Sequence, residues 1–238
     1  MSAAGEKTPV WLAVESIRDC LAQAEAGAES WLSDSERQRL VRIRNASRRA
    51  EFLVARLALR RLLACAYGGA PEDWRLDAPE GAPPCVVSGP HSVPPKLALS
   101  HSGDWAVCAA AAFAVGLDVE TARPGRDHMR LAPAVCSEAE QTRLTRLQPQ
   151  DRTDAFLTMW VLKEAWLKAR GEGIASGPLG EIETRPEQDA ARANARVWGW
   201  PGARLALCAP LSARVDWIGL VPTELETTSA GMWRVGRE

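Results

Sequence analysis

The sequence predicts an α+β protein built from two similar halves, and this prediction depends on two repeated patterns. The helical pattern FLVARL, which begins at Phe52, recurs as FLTMWV 104 residues later, and the strand pattern AVCA at Ala106 recurs as ALCA 100 residues later. The repeats come in the same order at nearly the same spacing, which indicates an internal duplication. We therefore expect an N-terminal half, residues 1–112, and a C-terminal half, residues 113–238, each a small antiparallel sheet packed with helices.

The elements of each half follow from local periodicity and from start and stop signals. Apolar or alternating runs predict strands at 10–14, 96–100, 105–112, 115–120, 195–200 and 204–209. Helical periodicity predicts helices at 47–67, 137–147 and 151–170. The Ser-x-x-Glu pattern from Ser33 to Glu36 is typical of the start of another helix. The proline-rich stretch 70–95 favours turns and edge strands over a helix.

Composition indicates a folded protein and argues against several functions. The chain has 238 residues, is 46% apolar and carries a formal net charge of −1, which argues against general nucleic-acid binding. Nine arginines nevertheless fall between Arg37 and Arg61, so the local field there is positive. No apolar run is long enough to span a membrane, and the first residues do not resemble a secretion signal. We expect a cytoplasmic protein with no membrane or nucleic-acid partner.

The six cysteines are widely scattered and include no Cys-x-x-Cys pair. Several lie inside apolar runs such as AVCAAA and LALCAP. This pattern predicts free, buried cysteines in a reducing compartment, and it favours neither a disulfide framework nor a zinc site.

Asp118 and Glu120 lie two residues apart at the end of an apolar strand pattern, so both side chains point to the same face. Two carboxylates this close repel each other unless a cation, water or a basic group lies between them. Their oxygens are suitable ligands for Mg²⁺ beside a phosphate. The simpler interpretation is a charged strand end that faces solvent.

Glu164 and Lys168 lie four residues apart on a predicted helix and share a stripe with Trp160. One interpretation is a helix-stabilising ion pair, worth about 0.2–0.5 kcal/mol. The other is a functional site. The flanking Trp160 and Trp166, on an otherwise apolar helix, favour the second interpretation because such a pair is less freely solvated.

Ser100-His101-Ser102-Gly103 is expected to close one strand and begin the turn into the next. A lone histidine in such a place is more often a hydrogen-bonding turn residue than a ligand or catalyst. The chain has no GxxxxGK[ST] loop, no GxGxxG after a strand and no nucleophile motif of a Ser-His-Asp hydrolase. A bound phosphate would have to be held by Arg, Lys, His and a metal.

Three segments in this order resemble the 4′-phosphopantetheinyl transferases of the single-chain Sfp type: Ser100-His101-Ser102, the GLDVE sequence from Gly116, and the WxxKEAxxKAxGxG pattern that begins at Trp160. The resemblance covers about 32–173 in motifs and the whole chain more loosely. It implies two halves related by pseudo-twofold symmetry with the active site between them. It also implies transfer of the phosphopantetheine arm of coenzyme A to a serine of an acyl or peptidyl carrier protein, with release of adenosine 3′,5′-bisphosphate.

The resemblance further implies roles for the acidic residues and the lysine. Asp118, Glu120 and Glu164 would bind Mg²⁺, and Glu164 would also be the base for the attacking serine. Lys168 would hold the phosphates of coenzyme A during the reaction. Such chemistry needs a metal and cations to neutralise spreading charge, and little covalent help from the protein.

Contacts with coenzyme A are implied for a second group of residues. Ser100 and His101 would contact it, with His101 near its 3′-phosphate. Arg39 is the best match to a phosphate-binding lysine of the family, and Arg49 and Arg56 are further candidates.

Two departures from the family pattern affect these coenzyme A contacts. The family's Gly-Lys-Pro, whose lysine touches coenzyme A, is Ala82-Pro83-Pro84 here, and Glu36 occupies a position that is basic in some relatives.

Two other functions stay open at this point. One is a catalytically idle module that binds coenzyme A or carrier proteins, which should have lost a metal carboxylate, and all three are present. The other is an unrelated Mg²⁺-dependent phosphohydrolase. The sequence does not distinguish fatty-acid, polyketide and nonribosomal-peptide carriers as the acceptor. A duplicated chain already contains the interface between its halves, so we expect a monomer.

Overall fold

The computed structural model describes residues 8–77, 83–123, 125, 127–172, 178–219 and 231–237. Its helices are α1 (Ile17–Glu25), α2 (Ala28–Trp31), α3 (Asp34–Arg42), α4 (Ala46–Tyr67), α5 (Ala132–Val135), α6 (Glu138–Arg146) and α7 (Pro149–Ala169). Its strands are β1 (Pro9–Ser16), β2 (Arg75–Asp77), β3 (Cys85–Ser88), β4 (Lys96–Ser102), β5 (Trp105–Ala111), β6 (Gly116–Thr121), β7 (Ile182–Pro186), β8 (Ala195–Trp200), β9 (Ala203–Cys208), β10 (Arg214–Ile218) and β11 (Gly231–Arg237). The mixed α+β class predicted from the sequence is confirmed.

Two main sheets form the centre of the molecule. The first has the strand order β10-β1-β5-β4 and the second β6-β9-β8-β11-β7, while β2 and β3 form a separate hairpin-like pair. Alternation along the strands gives each sheet two buried faces. Leu12, Val107, Leu117 and Leu205 belong to the core between the sheets. The opposite faces pack against the long helices α4 and α7.

The same order of elements occurs twice along the chain. A strand, a nine-residue helix, a long helix and a β-hairpin occur in this order as β1, α3, α4, β4-β5 and again as β6, α6, α7, β8-β9, with other short elements between them. In both sheets the first of these strands pairs antiparallel with the second strand of the hairpin. The duplication inferred from sequence and a twofold axis between the halves both stay predictions.

The expectation of purely antiparallel sheets is wrong for one strand pair. β10 pairs parallel with β1, from Pro9↔Arg214 to Ala13↔Ile218. The first sheet therefore takes a strand from the sequence after residue 113. Parallel pairing requires a long crossover connection, which no local pattern near Arg214 predicts.

The cysteine expectation is correct in part. All six cysteines are free, and Cys108, Cys136 and Cys208 are buried as predicted, but Cys65 and Cys85 are exposed.

Among the described residues no helix is both long and apolar enough to cross a membrane.

Candidate functional site

A cleft of about 530 Å³ lies where the two main sheets and their long helices meet. It is lined by side chains from α3, α4, β4, β6 and α7, and by the chain before β4. Its polar and charged lining residues are Arg39, Arg56, Ser100, His101, Asp118, Glu120, Glu164, Lys168 and Glu172. All but one of the candidate site residues predicted from sequence meet in this cleft.

Asp118, Glu120 and Glu164 form an acidic wall of the cleft, and they lie together because β6 packs on α7. Leu117 and Val119 enter the core between the sheets, so Asp118 and Glu120 point to the opposite face, as the alternation predicts. Gly116 lets the helix approach this face closely, because a Cβ there would lie 1.9 Å from the Ala165 carbonyl oxygen. The neighbouring Glu164 on α7 is thereby brought beside the β6 carboxylates.

Lys168 pairs with Asp118 across this contact. Its Nζ donates to Asp118 Oδ1 at 2.6 Å and to Ser100 Oγ at 3.3 Å. Ser100 Oγ donates to the same Asp118 Oδ1 at 2.8 Å. No ion pair joins Lys168 to Glu164, so the helix-stabilising pair considered from sequence does not form.

Two carboxylate oxygens in this wall have no partner. Asp118 Oδ2 and Glu164 Oε1 are buried and accept no hydrogen bond from any described residue. Burial raises the pKa of Glu164 to about 7, with a further contribution from the charges of Asp118 and Glu120. The pKa of Glu120 is raised as well, mainly by burial and to a smaller extent by the charge of Asp118. Three carboxylates therefore repel one another in a partly dehydrated wall.

The acidic wall has the oxygen ligands that a hard cation prefers, but these oxygens do not lie in a preformed metal-binding arrangement. Unpartnered buried carboxylate oxygens and raised carboxyl pKa values mark a place where a divalent cation would be stabilising. In the described part of the chain, however, no three His, Cys, Asp or Glu side chains lie close enough together to hold an ion. Lys168 Nζ occupies one side of Asp118 instead.

The facing wall carries cations from α3 and α4. Arg56 is 3% exposed, and its Nε lies 3.4 Å from Glu36 Oε1. Two of its nitrogens, Nε and Nη1, have no hydrogen-bond partner among the described residues, and burial lowers its pKa to about 10. Arg39 also lines the cleft, with its guanidinium 5.9 Å from the Phe52 ring.

Glu36, which the sequence analysis placed only at the start of a helix, is a buried structural residue. It is fully buried, closes the α3 capping box with Ser33, and also forms an ion pair with Arg60 at 2.6 Å. One carboxylate thus faces Arg56 and Arg60, and this leaves a net positive charge behind the cleft. The capping-box pattern predicted the helix start but gave no sign of this burial.

His101 lies within β4, and the expectation that Ser100-His101-Ser102-Gly103 closes a strand and begins a turn is confirmed. The three residues end the strand, and the turn follows at Gly103. His101 Nδ1 lies 3.2 Å from Glu51 Oε2. Ser102 Oγ donates to Glu120 Oε2 at 2.8 Å. Strand residues thus bridge the two sheets on one side and contact α4 on the other.

Arg49 is the candidate that the structure does not bring to the cleft. Its Nη1 donates to the Leu40 carbonyl at 2.7 Å, which ties the start of α4 to α3. The position of the family lysine is occupied by apolar lining, since Pro83 and Pro84 both face the cleft. Ala82 and Gly173 lie outside the described residues.

Comparison with known proteins identifies the same family that the sequence motifs resemble. The family model described as "4'-phosphopantetheinyl transferase superfamily" matches residues 114–201, which include β6 and α7.

Curated relatives carry the match over more of the chain. The protein named "4'-phosphopantetheinyl transferase HetI" from Nostoc sp. is 30% identical over 168 residues, covering 70% of this chain and 71% of the relative. "4'-phosphopantetheinyl transferase Sfp" from Bacillus subtilis is 27% identical over 160 residues, covering 67% of this chain and 69% of the relative. A "4'-phosphopantetheinyl transferase" of Bacillus subtilis is 31% identical over 137 residues and is covered over only 58% of its length.

Proposed function

Because this chain belongs to the 4′-phosphopantetheinyl transferase superfamily, we propose that it transfers the 4′-phosphopantetheine arm of coenzyme A to a serine of an acyl or peptidyl carrier protein. Adenosine 3′,5′-bisphosphate is the second product. The observation that supports this proposal most directly is a single cleft with carboxylates on one wall and buried or half-buried cations on the other. Cationic side chains would bind the pyrophosphate oxygens, and carboxylates would bind a metal ion and accept a proton.

The reaction is a substitution at phosphorus. The serine oxygen forms a bond to the phosphorus that carries the pantetheine arm, and the bond from that phosphorus to the bridging pyrophosphate oxygen breaks. The serine proton must leave as attack proceeds. Glu164 fits the role of proton acceptor, because its pKa of about 7 lies near the pH at which a general base works best.

Asp118, Glu120 and Glu164 would hold Mg²⁺ if the cation takes up the two unpartnered oxygens of this wall. When bound, the ion supplies positive charge to the pyrophosphate oxygens. Lys168 provides a second positive charge at the same place. Its present partner, Asp118 Oδ1, holds the ammonium group between the acidic wall and the cleft.

The phosphate groups would lie against the cationic wall. Arg39 and Arg56 line the cleft and contribute positive charge to this wall. Ser100 and His101 are the strand residues between the two walls. The contacts of Arg49 and the apolar Pro83 argue that phosphate binding here depends on fewer cations than the sequence suggested.

We further propose that the active site is formed between two related halves of one chain, 1–112 and 113–238. Arg39, Arg56 and His101 belong to the first and the three carboxylates to the second. This arrangement supports a monomer, because one chain already supplies both walls.

Intact mass spectrometry of an apo carrier protein incubated with coenzyme A, Mg²⁺ and this protein tests the proposal. We expect a mass gain of one phosphopantetheine on the carrier, and none when a carrier with serine replaced by alanine is used. Hydrolysis of coenzyme A without any carrier would favour the phosphohydrolase alternative. Binding of coenzyme A without transfer to any of the three carrier classes would favour an idle binding module.

A further inference from the structure

A cluster of four side chains lies at the rim of the cleft, where α7 ends and the strand β11 packs beside it. Arg170 Nε donates to Glu172 Oε1 at 2.6 Å, and Arg237 Nη2 donates to Glu172 Oε2 at 3.3 Å. Both guanidinium groups also lie over the Trp166 ring, 4.8 Å and 5.6 Å from its centroid. Each carboxylate oxygen of Glu172 is thus held by a different arginine.

The position of Glu172 follows from the way α7 ends. Gly171 has a left-handed conformation with φ +69°, and its N–H donates to the Lys168 carbonyl at 3.1 Å. The Glu172 N–H donates to the Leu167 carbonyl at 2.9 Å. These two bonds form a Schellman motif, which ends a helix and turns the chain back beside its last turn. Glu172 is therefore fixed four residues after Lys168, and both side chains line the cleft.

The charge of Glu172 is unfavourable for the substrate proposed above. The hydrogen bond from Arg170 is the largest influence on the pKa of Glu172 and lowers it, so this carboxylate is ionised at neutral pH. A carboxylate free to turn into the cleft would repel the phosphates of coenzyme A and compete with them for cations. The two arginines instead engage it at the rim.

Lys168 is the cleft cation closest to Glu172 along the chain. Lysine and glutamate four residues apart on a helix commonly pair, but the Lys168 ammonium group donates to Asp118 at 2.6 Å and to Ser100 at 3.3 Å. An exposed ion pair alone would restrain Glu172 little. Two hydrogen bonds from guanidinium groups that are themselves placed over an aromatic ring restrain it more firmly.

Resting on the function proposed above, we propose that Arg237 is a positioning residue that, together with Arg170, holds Glu172 at the rim and so keeps its carboxylate out of the coenzyme A site. Lys168 then stays available to the phosphates. Arg237 lies 65 residues after Glu172, so the last strand of the chain supports binding of the donor through Glu172.

A mutant cycle tests this role, with coenzyme A affinity measured by isothermal titration calorimetry. The double variant Arg170→Gln/Arg237→Gln should bind coenzyme A roughly fivefold more weakly, because its released carboxylate acts against the phosphates. Glu172→Gln alone should leave the affinity nearly unchanged, because the arginines already hold this carboxylate in the wild-type protein. Adding Glu172→Gln to the double variant should restore most of the lost affinity.

Two further variants serve as controls. Arg234 is exposed on the same strand as Arg237 and, three residues away, faces the opposite side of the sheet. Arg234→Gln removes the same charge and should leave the affinity unchanged. Arg237→Lys keeps the charge but loses the planar guanidinium, so its affinity should lie between those of wild type and Arg237→Gln. Thermal melts check that every variant is folded.

Equal effects of Glu172→Gln in the wild-type and double-arginine backgrounds would overturn the inference, because the charges would then act independently. A triple variant that binds as weakly as the double variant would overturn it too, since the arginines would then act through packing. Carrier modification judges the proposed function separately. The expected cycle without transfer would reject that function and keep the role of Arg237, and transfer with an additive cycle would do the reverse. Failure of the wild-type protein to bind coenzyme A would reject both.

Discussion

Replacing Glu164 with glutamine should make the metal-free protein more stable at alkaline pH while it removes activity. The folded pKa of Glu164 is about 7 instead of the ordinary 4.5. The folded protein therefore binds more protons than the unfolded chain between these pH values, and its stability falls as pH rises through this window. The full penalty is present above pH 7. At about 1.4 kcal/mol per pH unit it amounts to at most about 3.5 kcal/mol, and to about 3 kcal/mol once solvent screening of this partly buried group is allowed for.

Glutamine avoids this penalty because it carries no charge at any of these pH values. It also gives up no hydrogen bond at Oε1, which has no partner. At pH 8 in EDTA we expect Glu164→Gln to melt about 6–12 °C above wild type, at roughly 2–4 °C per kcal/mol for a chain of this size. At pH 5 the two proteins should melt within about 2 °C of each other.

Thermal melts followed by circular dichroism at both pH values provide the measurement, with carrier modification assayed in parallel. Transfer should fall by roughly 10² or more, because the variant lacks the base. An equal melting temperature at pH 8, or a variant less stable there, would refute the reasoning. A small loss of stability with intact activity would mean that Glu164 contributes only to its helix.

Three other substitutions test separate parts of the site. Asp118→Asn should reduce transfer by roughly 10² or more and raise the Mg²⁺ concentration needed for half-maximal rate, because one ligand charge is lost; an unchanged Mg²⁺ titration contradicts the metal assignment. Arg39→Ala should raise the coenzyme A KM by about tenfold with little change in kcat. The control variant Arg49→Ala, outside the cleft, should leave KM unchanged, and equal effects of the two variants would contradict the role of Arg39. Gly116→Ala should destabilise the fold by about 3 kcal/mol in urea titrations, because its methyl group meets the Ala165 carbonyl; wild-type stability would show that β6 and α7 separate easily.

The sequence predicted elements whose causes are local. Alternation over Gly116 to Glu120 gave both the strand and the shared face of its two carboxylates, because each residue's direction depends only on its neighbours. The Ser-x-x-Glu pattern gave the start of α3 for the same reason. The strand β10 was not identified, since its parallel partner β1 lies about 200 residues earlier in the chain.

The sequence indicated which residues line the cleft better than it indicated which of them contact each other. Lys168 lines the cleft, but its ion-pair partner is Asp118, 50 residues away, rather than the nearby Glu164. Glu51 gave no signal at all, because a single acidic residue among many arginines looks like a solvated charge. Its contact with His101 exists only because β4 packs beside the start of α4.

One structural device occurs at two places in the chain and has opposite effects on the charge of the cleft. In each, a buried glutamate at the third position of a capped helix holds a cation of the following long helix: Glu36 with Arg60, and Glu140 with Lys163 at 2.5 Å. Lys163 is saturated by Glu140 and two backbone carbonyls, so the next residue, Glu164, is left as an uncompensated acid facing the cleft. Glu36 instead faces two arginines, and the surplus positive charge reaches the cleft through Arg56. The same device with a different balance of charges thus gives the cleft one acidic and one basic wall, which suits the proposed reaction at a pyrophosphate.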